Sequence, residues 1–136
     1  MTDHLATVKG IYDAFGKGDV PSILAVLAED VGWENFGDNS AEKAGVPWLR
    51  KRQGKSGALE FFQALNENLK LTEFQVLDLA GSGRQVVAEI VVAGTTRDGR
   101  AFRDEELHLW TFDAGGKISR FRHYVDTAKH IALCAG

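Results

Sequence analysis

The stretch Phe102-Arg103-Asp104-Glu105-Glu106-Leu107-His108-Leu109-Trp110-Thr111-Phe112, followed by Asp113-Ala114-Gly115-Gly116 and then by Lys117 to Asp126, decides how this chain folds. Two runs rich in aromatic and apolar residues flank a Gly-Gly turn, which is the pattern of a β-hairpin. Upstream, the same reading gives strands at about 72–80, 85–95, 101–112 and 117–126, separated by Gly81-Ser82-Gly83 and Asp98-Gly99. Before Leu71 the period changes. Leu5, Val8, Ile11, Tyr12 and Phe15 recur at three- and four-residue steps, the stripe of an amphipathic helix. Thr2 or Asp3 can cap its start and Gly16-Lys17-Gly18 ends it. Asp19 can cap a second, shorter helix, with Pro21 tolerated in its first turn. A short strand is expected from Val31 to Asn35, and Ser56 starts a third helix with Leu59, Phe62, Leu65 and Leu69 on its apolar side. The tail from Thr127 to Ala135 suits a last helical turn or two. Helices first and an antiparallel meander afterwards predict an α+β domain, three N-terminal helices on one face of a curved antiparallel sheet with a central pocket between.

The chain has 136 residues, one domain's worth, so residues 1–136 are taken as a single unit. At this size about two-thirds of the unfolded surface is buried on folding, enough for a core without staples. The single cysteine, Cys134, excludes an internal disulfide framework and any multi-cysteine metal site. Net charge is −3, and the one basic cluster, Arg50-Lys51-Arg52 with Lys55, reads as a solvated loop, so nucleic acid is not expected as a partner. No apolar run approaches the ~20 residues of a membrane span, and the first residues lack a secretory signal. A cytoplasmic location with no membrane partner is therefore expected. Phe36 to Gln53, with Pro47 and Trp48, reads as one long loop of the kind used as a lid, with Trp48 as a lid or subunit-contact residue.

Alternation along the hairpin puts Asp104, Glu106, His108 and Trp110 on one face, with Leu107 and Leu109 on the other. In the following strand Phe121, His123 and Val125 share a face. If Phe112 pairs with Lys117, Glu106 lies opposite His123 and His108 opposite Phe121, leaving the two imidazoles diagonal neighbours about 7–8 Å apart. Two imidazoles and a carboxylate among aromatic side chains suit proton transfer near neutral pH, though cross-strand polar partners on a solvated face would give the same spacing. Glu89 joins them only if Asp98-Gly99 is a two-residue turn; a three-residue loop ending in Gly99 turns it away. Trp33, Trp110, Phe121 and Val125 are candidate cavity walls or plain core. Asp126 falls on the opposite parity to His123 and suits a structural role, and His4 and His130 near the ends are expected to be exposed. A divalent metal on the two histidines and Glu106 needs a tighter cluster than diagonal positions provide, so no metal is expected.

Glu105-Glu106-Leu107-His108-Leu109-Trp110-Thr111-Phe112, the Gly116-Lys117-Ile118 turn, Arg122-His123-Tyr124 and Asp126 resemble the carboxy-terminal part of SnoaL-like polyketide cyclases, within the nuclear transport factor 2-like superfamily. The resemblance extends upstream through the helix to Phe15, Gly18-Asp19 and Leu27-Ala28-Glu29-Asp30, and Val46-Pro47-Trp48 with Gly54 to Phe62 also resembles uncharacterised ketosteroid-isomerase-related proteins. It implies the cone-shaped fold of that superfamily. It also implies that His108 matches the cyclases' pocket histidine and that His123 stands where cyclases and epoxide hydrolases carry an aspartate. Asn35 stands at the isomerases' catalytic aspartate, and Ile11 at their oxyanion-hole tyrosine with Tyr12 one step away. Ile90 and Val92 replace the Arg and Asp that epoxide hydrolases need. An amide cannot remove a carbon-bound proton and aliphatic residues cannot orient water, so steroid isomerisation and epoxide hydrolysis by those relatives' mechanisms are disfavoured.

The resulting expectation is a cyclase- or isomerase-type enzyme acting on a small apolar carbonyl compound, without an organic cofactor. His123 abstracts or relays a proton α to the carbonyl and His108 donates to the enolate. Asn35, Glu106, Trp33, Trp110, Phe121, Val125, Tyr12 and Trp48 are the expected ligand contacts. The alternative is a non-catalytic module that holds a hydrophobic ligand or serves dimerisation. Under both readings a homodimer through the outer sheet face, with Leu107 and Leu109, is expected.

Overall fold

The computed structural model describes residues 3–34 and 36–135. Helix α1 spans His4–Gly16, capped by the Asp3 side chain, which accepts from the Ala6 N–H. Helix α2, Val20–Leu24, starts at Asp19, whose carboxylate accepts from the Ser22 N–H, and carries Pro21 in its first turn. Gly18 between them has φ of 70°, a turn that any side chain would strain. Strand β1, Leu27–Trp33, begins earlier than expected and ends before Asn35, which lies outside the described residues.

The expected long loop carries structure of its own. It holds a short helix α3 (Ser40–Lys43) capped by Asn39, a 3-10 turn at Pro47–Leu49 and a two-residue strand β2 (Arg52–Gln53). Helix α4 follows at Gly54–Asn68, two residues ahead of Ser56. Its buried side is Gly57, Ala58, Phe61 and Ala64, while Leu59 is exposed. The buried stripe thus lies one position away from the one expected, because small residues at 57, 58 and 64 let the helix pack closely.

Four long strands complete the sheet: β3 (Leu69–Ser82), β4 (Gln85–Thr96), β5 (Ala101–Phe112) and β6 (Ile118–Tyr124), followed by helix α5 (Thr127–Cys134). The strand order among the described residues is β2-β1-β6-β5-β4-β3. The sheet is mixed rather than wholly antiparallel, because β1 runs parallel to β6. Parallel neighbours need a long crossover, and everything from α3 to β5 supplies it. Two shifts in the β3–β4 register bend the sheet around the helical layer.

Alternation on β5 is clean. Asp104, Glu106, His108, Trp110 and Phe112 are buried while Glu105 and Leu107 face outward. The β5–β6 register differs from the one expected: His108 pairs directly with His123, and Trp110 with Phe121. The cause is a five-residue turn in which Asp113 N–H donates to Lys117 O, followed by a register shift between Thr111 and Phe112. The slip amounts to two residues, so the faces survive and only the pairing changes. Thr96 and Arg100 close a three-residue loop around Gly99, and Glu89 consequently points outward opposite Leu107. No helix among the described residues is long and apolar enough to cross a membrane.

Candidate active site

Between the helices and the inner sheet face lies a cavity of about 70 Å³. That is space for on the order of five waters. Its walls are mostly aromatic. Trp33, Trp110 and Phe121 pack together, with Trp33–Phe121 and Trp110–Phe121 centroids each 4.4 Å apart. Tyr12, Trp48, Glu106, His108 and His123 also line it, so eight of the expected site residues meet here. Val125 does not. Strand β6 ends at Tyr124, alternation stops, and Val125 lines a separate groove with Phe36 and Leu49. Asn35 is outside the described residues.

Two buried polar networks face one another across β5 and β6. In the first, His123 Nδ1 pairs with Glu34 Oε1, which also accepts from the His123 backbone N–H at 3.1 Å. Burial opposes a charge on His123, but the charge and hydrogen bond of Glu34 outweigh it and push the imidazolium up to about 9. His123 Nε2 has no hydrogen-bond partner among the described residues, on a side chain that lines the cavity. Glu34 was not anticipated. It follows β1 directly with φ of 55°, a left-handed conformation rare for a residue with a side chain, which carries its carboxylate under β6. Its Oε2 has no donor among the described residues, and neither does the Trp33 indole N–H find an acceptor there.

The second network is longer, and its donors fix its protons. Trp110 Nε1 donates to Tyr12 Oη at 3.0 Å, and the Tyr12 hydroxyl donates to His108 Nδ1 at 2.7 Å. His108 therefore carries its proton on Nε2 and donates it to Glu106 Oε1 at 3.2 Å. Burial pushes the His108 pKa down against the pull of Glu106, which keeps the ring neutral. Trp48 Nε1 donates to His130 Nδ1 at 2.9 Å, so His130 likewise holds its proton on Nε2. That proton faces Asp104 Oδ2 at 2.8 Å and Glu106 Oε2 at 3.3 Å. Burial works against a charge on Glu106, yet the hydrogen bonds from His108 and His130 and the nearby charge of His123 hold it well below the usual carboxylate range. Asp104 moves the other way, raised by burial against the pull of His130.

Three expectations are corrected here. His130 is 2 % exposed and belongs to the cavity wall, because α5 folds back over β5. His4 is partly covered by stacking on Phe112, with centroids 3.9 Å apart. Trp48 is buried against His130 rather than standing as an open lid. Asp104, Glu106 and His130 offer ligand atoms within 4.8 Å of one another. As arranged, the trio gives a cation no bare imidazole nitrogen, since Nδ1 is taken by Trp48 and Nε2 bears the proton.

With this geometry in view, residues 8–121 match the family model described as the SnoaL-like domain. The chain belongs to the SnoaL-like family. His123 and His130 lie just beyond the matched stretch. Among solved structures, a nuclear transport factor 2-like protein of unknown function from Burkholderia pseudomallei is 25% identical, with a TM-score of 0.84 over 100% of both chains. TerC, crystallised with polyporic acid, is 22% identical with a TM-score of 0.79 over 96% of each chain. A Pseudomonas putida protein to which polyketide cyclase activity has been ascribed is 21% identical, with a TM-score of 0.72 over 99% of this chain and 100% of that one. The last two likenesses concern the fold. No curated protein sequence matches the chain.

Proposed function

We propose that this SnoaL-like protein is a cyclase- or isomerase-type enzyme that enolises a small, apolar carbonyl compound without an organic cofactor. The observation that carries this reading is a charged donor and a charged acceptor on adjacent strands of one apolar cavity wall: the His123 imidazolium and the Glu106 carboxylate. The roles expected from the sequence are redistributed. His123, already protonated, aims Nε2–H at the carbonyl oxygen instead of acting as base. Both ring nitrogens of His108 are engaged, so it holds Glu106 instead of the enolate.

In the proposed step, Glu106 takes the proton from the α-carbon as the C–H bond breaks. That electron pair becomes the new C=C bond, and the carbonyl π pair moves to oxygen, where His123 donates its hydrogen bond or its proton. Reprotonation at another carbon isomerises the substrate; attack of the enolate on a second carbonyl closes a ring. Dry aromatic walls strengthen both electrostatic contacts.

Deuterium exchange at the α-carbon of apolar cyclic ketones and 1,3-diketones tests this. Wild type should exchange, and Glu106→Gln and His123→Gln should each lose at least roughly a hundredfold. Unchanged rates in both variants would remove the two residues from the chemistry. The mutual satisfaction of Tyr12, His108 and His130 also fits a module that only holds an apolar ligand. Binding of such ketones by wild type with no exchange in any of them would favour that second reading.

A further inference from the structure

Helix α5 lies beyond the family match at residues 8–121, yet it delivers a side chain to the cavity wall. His130 reaches Glu106 Oε2 at 3.3 Å while His108 holds Oε1 at 3.2 Å from the other side. One oxygen of the carboxylate is hydrogen-bonded by His108, and the other has the His130 Nε2–H, itself bonded to Asp104, standing beside it. Each oxygen keeps a further lone pair, and those are the ones available to a substrate C–H. His130 is itself set by two contacts. The Trp48 indole N–H donates to Nδ1 and fixes the tautomer. The Asp126 backbone N–H, at the start of α5, donates at 3.2 Å to the same Asp104 oxygen that His130 Nε2 faces.

We propose that His130, held by Trp48 and Asp104, is a positioning residue that aims the Glu106 carboxylate at the substrate carbon, which makes α5 and the Pro47–Leu49 turn part of the active site. The proposal rests on the base role given to Glu106 above. It is supported by the groups that face Glu106: His108 and Asp104 from β5, His123 from β6 and His130 from α5, with apolar Ile90 as its pair on β4. Of these, His108 donates to Oε1 at 3.2 Å and His130 brings its Nε2–H to 3.3 Å from Oε2, so losing either weakens the hold that keeps the carboxylate acidic.

The test compares His130→Phe, which removes the donor, with His130→Gln, which keeps an N–H of similar reach, and with Trp48→Phe, which frees the ring. In α-proton exchange, His130→Phe should lower kcat at least roughly tenfold with little change in KM. It should also move the acidic limb of kcat/KM to higher pH, with His130→Gln recovering much of both. Trp48→Phe should shift the limb in the same direction by less, which keeps the test open should His130→Phe fail to fold. A folded His130→Phe, or Trp48→Phe in its place, with wild-type kcat and an unmoved acidic limb overturns the proposal. Should wild type exchange no ketone, the base role fails but the clamp is still measurable. The ¹³C signal of the Glu106 carboxyl should then titrate at higher pH in His130→Phe and move back in His130→Gln, and an unmoved titration overturns it.

Discussion

Glu34 Oε1 takes two hydrogen bonds from one residue, the backbone N–H and the ring Nδ1 of His123. Strand β6 and the end of β1 are thereby joined through a carboxylate that is 1 % exposed, and the Glu34 N–H completes the joint by donating to Phe121 O at 2.9 Å. The pair gives the cavity a fixed positive donor whose counter-charge lies behind it.

This pairing makes stability depend on alkaline pH. His123 titrates at about 9 in the folded protein, against an ordinary 6.5, so the folded state holds the proton more tightly than the unfolded chain. Its contribution is full below about pH 6.5 and is lost as pH rises through about 9, an effect on the order of 3 kcal/mol. Urea unfolding between pH 6 and 10 should show that decline. Glu34→Gln should flatten it and lower stability at pH 6 by roughly 3 kcal/mol, the cost of breaking a buried pair. A wild-type curve without slope in this range contradicts the pairing.

The Tyr12 hydroxyl joins two residues far away in sequence, accepting from Trp110 and donating to His108. Tyr12→Phe leaves a buried indole N–H and a buried ring nitrogen without partners. The expected loss is about 1–3 kcal/mol, read as a lower urea midpoint at unchanged slope. A neutral result would mean that water or a ring shift replaces the hydroxyl.

Much of the architecture was legible because period carries it. Even-numbered residues of β5 face inward, as alternation requires, and Asp3 and Asp19 cap the helices that they precede. The pairing of His108 with His123 was not legible, since the shift between Thr111 and Phe112 leaves no mark in an apolar-polar pattern. Glu34 was missed for a related reason. Strand parity from Val31 and Trp33 points it outward, and only its φ of 55° brings it under β6. His130 sits on an eight-residue helix near the chain end, where a lone histidine reads as exposed; the neighbouring Ile131 and Leu133, both packed on the core, were the available hint that α5 docks.

On the outer sheet face Leu107 is 48% exposed and pairs with Tyr124, which is 44% exposed. We propose that this face carries the expected homodimer, because apolar side chains standing together on a sheet favour a covering partner. Sedimentation of wild type at micromolar concentration should give the dimer mass, and Leu107→Lys should shift it toward monomer with the fold intact. A wild-type monomer, or a dimer indifferent to Leu107→Lys, places any interface elsewhere.

At Gly94 on β4 the main chain of β3 leaves no room for a side chain. A Cβ built there would collide with Lys70 O and stand 3.0 Å from Leu71 Cα. Both atoms are main chain, so no rotamer change relieves the contact, and the pairing shift between Leu71 and Glu73 begins at this point. Gly94→Ala must therefore push β3 away from β4 or straighten the bend that shapes the cavity. We expect a loss of about 2–4 kcal/mol, at or above the usual overpacking range because backbone has to move. On a domain of this size the thermal midpoint should fall by at least about 6 °C. Gly83, in the turn that joins the same strands, meets nothing within 4 Å but has φ of 57°. Gly83→Ala should cost only about 1 kcal/mol of backbone strain. Equal losses at the two positions would mean that crowding at Gly94 is not what bends the sheet.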